Sequence, residues 1–358
     1  MKFFKFFHLK YRLFYNKNYS LYYMVFDIKI YIQNLSIDVT EINLTGRKIS
    51  YIPDLTRFTK LKRLYCCRNE LTYLPNLPNG LETLFFDDNK ITSLPNLPEK
   101  LYSLRCGNNK LKNLVNLPNN LKILHCYGNK LTTLPELPNS LETLFCHYNK
   151  LTTLPELPNS LKKLYCYNNK LRSLPELPNN LEDLFCINNK LRYLPELNNN
   201  LYILRCGNNK LTYLPKLNET LKLLICYNNK LTYLPKINDN LKYLFCHKNE
   251  LTTLPELNNI ETLTLFDNPI YSIVFKNEFA DADNNYSDPI INETIKQNVK
   301  ILNKFRFTYY ALTFKKQFRD WLWKKVREEK IKKQYHPNKL LKFLEDNDMD
   351  DIDTFLHD

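Results

Sequence analysis

Glycine is nearly missing from this chain: there are five in 358 residues, beside three methionines and two tryptophans. So few glycines leave no Gly-rich loop that could wrap a phosphate, and no spacing of a catalytic triad stands out either. No apolar run reaches eighteen residues, which predicts no membrane span. No CxxC pair has a matching second pair, so the usual zinc frameworks lack support, and no cofactor is expected. The start, MKFFKFFHLKYRLFYNKNY, lacks the unbroken apolar stretch of a signal peptide. Lys5, Lys10 and Arg12 interrupt it and no small-residue cleavage site follows. Three readings of residues 1–38 stay open: an N-terminal cap, a segment lying on a membrane surface, or a stretch upstream of a start at Met24.

What the chain has in abundance is one sentence repeated. LFCHYNKLTTLPELP at Leu144–Pro158 recurs in close copies every twenty residues. Aligned, the unit reads LxxLxCxxNxLxxLPxLPxx, with first leucines at Leu61, Leu81 and onward to Leu241. A longer variant starts at Val39, with Arg47 in the asparagine slot, and a shorter one at Ile260, with Leu265 in the cysteine slot. That makes about twelve units, and a fixed period of this size signals a solenoid in which each unit contacts only its neighbours.

The LxxLxLxxN-type core makes the chain resemble the leucine-rich-repeat family over residues 39–275. The doubled LPxLP is most similar to the short twenty-residue subclass found in bacterial secreted effectors. The asparagine-rich copies and the tail LWKKVREEKIKKQYHP resemble leucine-rich-repeat proteins of giant DNA viruses. The resemblance implies a curved parallel β-sheet with extended convex segments and a protein-binding, non-enzymatic role. Effectors of the bacterial subclass can carry a ubiquitin-ligase domain with a catalytic cysteine after the array. Here no cysteine follows Cys246, so that nucleophile is lacking.

Strand alternation sorts the unit. Around its second leucine, alternate side chains point into the core and out to the open face. Leu144 and Cys146 are then core, whereas Phe145 and His147 face outward. Stacked units align Cys66, Cys106, Cys126, Cys146, Cys166, Cys186, Cys206, Cys226 and Cys246 in one column, with Phe86 and Leu265 substituting as apolar equivalents. Reduced thiols, and hence a reducing, cytoplasmic compartment, are expected. His125–Cys126 and Cys146–His147 sit on opposite faces and cannot share a metal. The asparagines from Asn69 to Asn268 are expected to bond backbone groups of the turn. Prolines exclude helix on the outer side; Val115 replaces one, and Asn198, Asn218, Asn238 and Asn258 replace others.

A second period lies inside the first. Units match best at a distance of one hundred residues, as in LYSLRCGNNKL at 101 and LYILRCGNNKL at 201, so block 61–160 was duplicated as 161–260. The outward slot before the cysteine reads Tyr65, Phe85, Arg105, His125, Phe145, then Tyr165, Phe185, Arg205, Ile225, Phe245. The next outward slot adds Tyr127, His147, Tyr167, Tyr227 and His247. An exposed concave stripe of this kind suits a protein partner, here host or viral. A lysine ridge (Lys90, Lys110, Lys130, Lys150, Lys170, Lys190, Lys210, Lys230) offers the alternative of nucleic acid or another acidic surface. Its bland reading is a solvated face offset by Glu136, Glu156, Glu176 and Glu196.

After the array, residues 276–292 read as a linker and 293–358 as an α-helical segment. Leu302, Phe305, Tyr309, Leu312, Phe318, Trp321, Leu322 and Val326 suit one helix face, ended by His336-Pro337, with Asn338 capping a short further helix. Lys296–Lys342 is strongly basic and Phe343–Asp358 wholly acidic, a pairing that favours folding back over gripping nucleic acid. The tail reads either as a cap over the last open core or as a docking module.

Overall fold

Each turn of the array begins with a leucine, runs three residues of strand, and closes through a turn at the asparagine. The structure, a computed structural model, describes residues 26–114, 117–271, 297–304, 308 and 312–317. Two units divide the chain, Met1–Lys296 and Gln297–Asp358.

In the first unit a short helix, α1 (Ile28–Gln33), precedes twelve strands. Asp27 caps α1 by accepting from the backbone of Lys29 and Ile30, and Ile28 and Ile32 are buried. Arg57 donates to the Ile32 carbonyl at 2.5 Å. The strands are β1 (Glu41–Asn43), β2 (Arg63–Tyr65), β3 (Thr83–Phe85), β4 (Ser103–Arg105), β5 (Ile123–His125) and β6 (Thr143–Phe145). They continue as β7 (Lys163–Tyr165), β8 (Asp183–Phe185), β9 (Ile203–Arg205), β10 (Leu223–Ile225), β11 (Tyr243–Phe245) and β12 (Thr262–Thr264). All twelve form one parallel sheet in sequence order. Register is one to one, Leu124 beside Leu144 beside Leu164. Among the described residues, the segments returning from one strand to the next contain neither strand nor helix, and their prolines exclude helix there.

The core is a set of columns. Leu141, Leu144, Cys146 and Leu151 are fully buried, and so are their counterparts in neighbouring units. Phe86 and Leu265 occupy the cysteine slot and are buried like the thiols they replace. Every cysteine is a free thiol, and burial pushes the column's pKa values up, to about 12 for Cys126 and Cys166.

The asparagine column closes each turn. Asn149 donates through Nδ2 to the carbonyls of Cys126, Cys146 and His147 at 3.0, 3.1 and 3.2 Å. Its Oδ1 accepts the Leu131 N–H at 3.0 Å. The preceding residue is left-handed throughout: Arg68, Asp88, Asn108, Gly128, Tyr148, Asn168 and their successors have φ between 49° and 62°. Asn, Asp and Gly suit that backbone; Arg68, Tyr148 and Lys248 hold it against preference.

The second unit is helical at 297–304, 308 and 312–317, where Val299 is buried and Leu312 and Phe314 are exposed. Of the apolar helix face, Leu302 is half-buried; Phe305, Tyr309, Phe318, Trp321, Leu322 and Val326 lie outside the described residues. So do residues 1–25, Val115, the linker 276–292, His336, Pro337, Asn338 and the acidic run 343–358.

Candidate functional site

The parallel register places equivalent side chains of neighbouring strands one strand spacing apart, close enough for rings to stack. Every residue of the outward stripe named from sequence lies on the open face and is half-buried. The cover comes from the stripe itself. In the first column Tyr65 meets Phe85 edge-on with ring centroids 5.3 Å apart, and Arg105 lies over Phe85 at 4.5 Å. His125, Phe145, Tyr165 and Phe185 then stack face to face at 4.3, 4.3 and 4.0 Å. Arg205 closes that run, 4.4 Å over Phe185.

A second column runs beside it. Tyr127, His147 and Tyr167 stack at 4.8 and 4.3 Å, and Tyr227 stacks on His247 at 4.8 Å. His247 stacks in turn on Phe266 at 4.3 Å, a ring that the decaying last unit hid from sequence reasoning. Phe245 belongs to the first column by register but, among the described contacts, joins no ring pair. Rings stacked face to face turn their electropositive edges outward, together with the tyrosine hydroxyls.

Burial in these stacks sets the electrostatics. Desolvation pushes His125 down to about 4, helped by the charge of Arg105 and then by His147. Desolvation also holds His147 at about 4 and lowers His247. All three are neutral at pH 7. Tyr127, Tyr165 and Tyr167 are raised, chiefly by burial.

Sequence reasoning missed the third outward column, two residues before the first one, because its residues share no type. It runs through Arg63, Thr83, Ser103, Ile123, Thr143, Lys163, Asp183, Ile203, Leu223 and Tyr243. Lys163 pairs with Asp183 at 3.7 Å, and Arg63 with Glu41 at 2.7 Å. It also passed over Cys67, the tenth cysteine, whose thiol lies 3.6 Å from Oδ2 of Asp87.

The lysine ridge is exposed along its length. Lys90 pairs with Glu70 at 3.2 Å. The expectation that Glu136, Glu156, Glu176 and Glu196 offset the ridge needs correction: among the described residues none of them, and no ridge lysine beyond Lys90, is in an ion pair. The charge pairing sits one residue after the first leucine instead, as in Lys62–Glu82, Lys122–Glu142–Lys162 and Lys242–Glu261. Those side chains leave the chain beside the strand and reach their neighbours directly, whereas the glutamates lie on the returning segment. Among the described residues no cluster of three or more His, Cys, Asp or Glu could hold a metal. Among them, too, no helix is long and apolar enough to cross a membrane.

The architecture defines a class: a parallel β-solenoid with a leucine-anchored strand and an asparagine-closed turn in every repeat. A family model for leucine-rich repeats (two copies) matches residues 139–179, and the same unit extends through the array. The chain belongs to the leucine-rich-repeat family. YopM from Yersinia enterocolitica WA-314 is 33% identical with a TM-score of 0.54, over 61% of this chain and 53% of that one. This chain thus spans about half the length of that protein. YopM from Yersinia pestis, a leucine-rich effector protein, is 30% identical over 64% of this chain and 84% of that one, with a TM-score of 0.43. The leucine-rich-repeat part of FLRT2, solved in an octameric complex with latrophilin 3 and Unc5D, is 22% identical with a TM-score of 0.54, over 65% of this chain and 84% of that one; it shares the fold. Comparison with curated proteins returned no match. Arrays of this family generally mediate protein–protein interaction and are typically non-enzymatic scaffolds.

Proposed function

We propose that this chain is a non-enzymatic recognition module that binds a protein partner through the concave aromatic face of its array. The observation that carries this reading is the pair of stacked columns on the open face. A ring locked between two others loses little side-chain freedom on binding, and its exposed edge attracts carbonyl and carboxylate oxygens of a partner. The candidate contact residues are those of the stripe from Tyr65 to Phe245 and from Tyr127 to His247. The partner is a host or viral protein met in a reducing compartment, a reading supported by the free thiol column and by the viral resemblance of the tail.

A second reading has its own observation. Seven ridge lysines, Lys110 to Lys230, are exposed and lack ion-pair partners among the described residues, so the ridge is open to nucleic acid or another acidic surface. Salt separates the two. Binding that neutralises several phosphates collapses between about 50 and 200 mM salt, whereas docking on ring edges largely persists.

The test compares wild type with a Phe85/Phe145/Phe185/Phe245 to alanine variant, each immobilised and exposed to cell lysate at both salt concentrations. Circular dichroism checks that the variant remains folded. A protein held by wild type at high salt and lost by the variant supports the open face. Capture that ignores the phenylalanines and vanishes with salt defeats that assignment in favour of the ridge.

A further inference from the structure

The internal duplication allows a comparison within one chain. On the first outward column, four of the five pairs between blocks are identical: Tyr65/Tyr165, Phe85/Phe185, Arg105/Arg205 and Phe145/Phe245. Two residues earlier, on the same strands and the same face, all five pairs differ, from Arg63/Lys163 to Thr143/Tyr243. A young duplication would have spared both columns alike. Retention at one and loss at its neighbour mark the first column as the constrained one.

The geometry around the arginines is duplicated as closely as their sequence. Arg105 lies 4.5 Å over Phe85, and Arg205 lies 4.4 Å over Phe185. Two residues past each arginine, just beyond the strand, a buried glycine lies under a tyrosine. A methyl group at Gly107 would come within 2.6 Å of Cε1 of Tyr127, and one at Gly207 within 2.9 Å of Cε1 of Tyr227. A side chain there would push the tyrosine off the sheet. Each tyrosine stacks on the next histidine at 4.8 Å, with rings 1° and 2° from parallel.

Both arginines are unpaired. Their Nε atoms are buried without an acceptor, and neither guanidinium is in an ion pair among the described residues. Two carboxylates lie near enough to attract them without forming an ion pair: Asp87, which accepts the Gly107 N–H at 2.7 Å, and Asp183, which pairs with Lys163 at 3.7 Å. A guanidinium held over a ring, with a buried Nε that has no acceptor, keeps donors available for a carboxylate.

We propose that Arg105 and Arg205 are twin binding centres, each receiving one carboxylate side chain from an acidic segment of a protein partner. This rests on the open-face reading above. Five strand steps separate the centres, roughly 24 Å at the usual strand spacing. They are related by translation along the array rather than by a two-fold axis. They therefore suit two copies of one partner, or one partner carrying the same acidic segment twice in direct repeat, whose second contact is then intramolecular.

A random-peptide display library panned against the full chain supplies the probe, and calorimetric titration of the enriched peptide supplies the stoichiometry. The proposal expects enriched acidic peptides, two bound per chain. Arg105→Gln and Arg205→Gln should each leave one site, and the double variant should bind about ten- to a hundredfold more weakly. A selection without acidic enrichment overturns the proposal, as does a single site abolished by either variant alone. Displacement of the peptide by inorganic phosphate but not by glutamate overturns the carboxylate assignment. Binding that survives the double variant but is lost with Phe145→Ala overturns the arginine centres and leaves the open face standing. Binding that survives all of these overturns both.

Discussion

Removing one amide from the middle of the asparagine column should destabilise the array by an amount that can be worked from its bonds. Asn149→Ala deletes three donated hydrogen bonds and one accepted one. The three carbonyls are not orphaned. Cys126 O still receives Nδ2 of Asn129, Cys146 O receives Nδ2 of Asn169, and His147 O receives the Gly128 N–H. The Leu131 N–H, in contrast, loses its acceptor inside the core. One buried orphan costs about 1–3 kcal/mol, and three weakened carbonyls add less, so about 2–3 kcal/mol is expected. Asn149→Asp is the sharper variant. Its carboxylate can still accept from Leu131 but turns an oxygen toward three carbonyl oxygens, which should cost about 4 kcal/mol or more at neutral pH. Protonation restores one donor, so this variant alone should regain stability in acid. Urea unfolding gives the global loss, and amide exchange at Leu131 gives the local one, because each repeat contacts only its neighbours. A shift under about 0.5 kcal/mol for alanine, or an aspartate tolerated better than alanine at pH 7, would refute the reasoning.

Three further outcomes are expected. Lys248→Asn, at φ 55° with its side chain exposed, should stabilise by about 0.5–1 kcal/mol in urea unfolding; Tyr148→Asn should gain less, because Tyr148 also meets the rings of His147 and Tyr167. His125 and His147 hold pKa values of about 4 when folded against about 6.5 unfolded, so the unfolded chain takes up protons first. Their contribution is complete above pH 6.5 and is lost as pH falls toward 4, on the order of 1 kcal/mol each after allowance for partial exposure, and a His125→Phe/His147→Phe variant should flatten that slope. Thiol labelling of the native protein should modify at most Cys67, slowly, since burial and then Asp87 push its pKa up to about 12. Asp87→Asn should speed that labelling, and rapid modification of several thiols would contradict the buried column.

The repeat made the architecture readable before any coordinates. A leucine every twenty residues, a cysteine two beyond its partner and an asparagine three further on leave one stacking register, and the twelve strands follow it. The direction of each strand side chain was equally legible, because alternation depends on the pleat rather than on residue type. The self-stacking of the open face was not. Whether Phe145 stands free or lies against His125 and Tyr165 depends on rotamers, which a one-letter string does not carry. Charge pairing misled for a related reason. Glu136 and Lys130 recur with the same period, but a shared period fixes the spacing along a column and not the distance between columns. Phe266 was missed where the unit shortens and its slots lose their letters. The unmatched types of the third column hid Asp183 and Lys163 in the same way.

The one-to-one register has a consequence for how such a chain can change length. Every turn offers its neighbour the same donors and acceptors, so a cut after any turn and a join before any other leaves no mismatched edge inside the sheet. Excision or insertion of whole turns is then nearly silent for folding while it moves whatever the open face displays by one strand step at a time. The five-turn block already present twice is one such event fixed in the chain. The array acts as a ruler whose graduations are interchangeable, and the distance between its marks can be reset by recombination without redesigning a single turn.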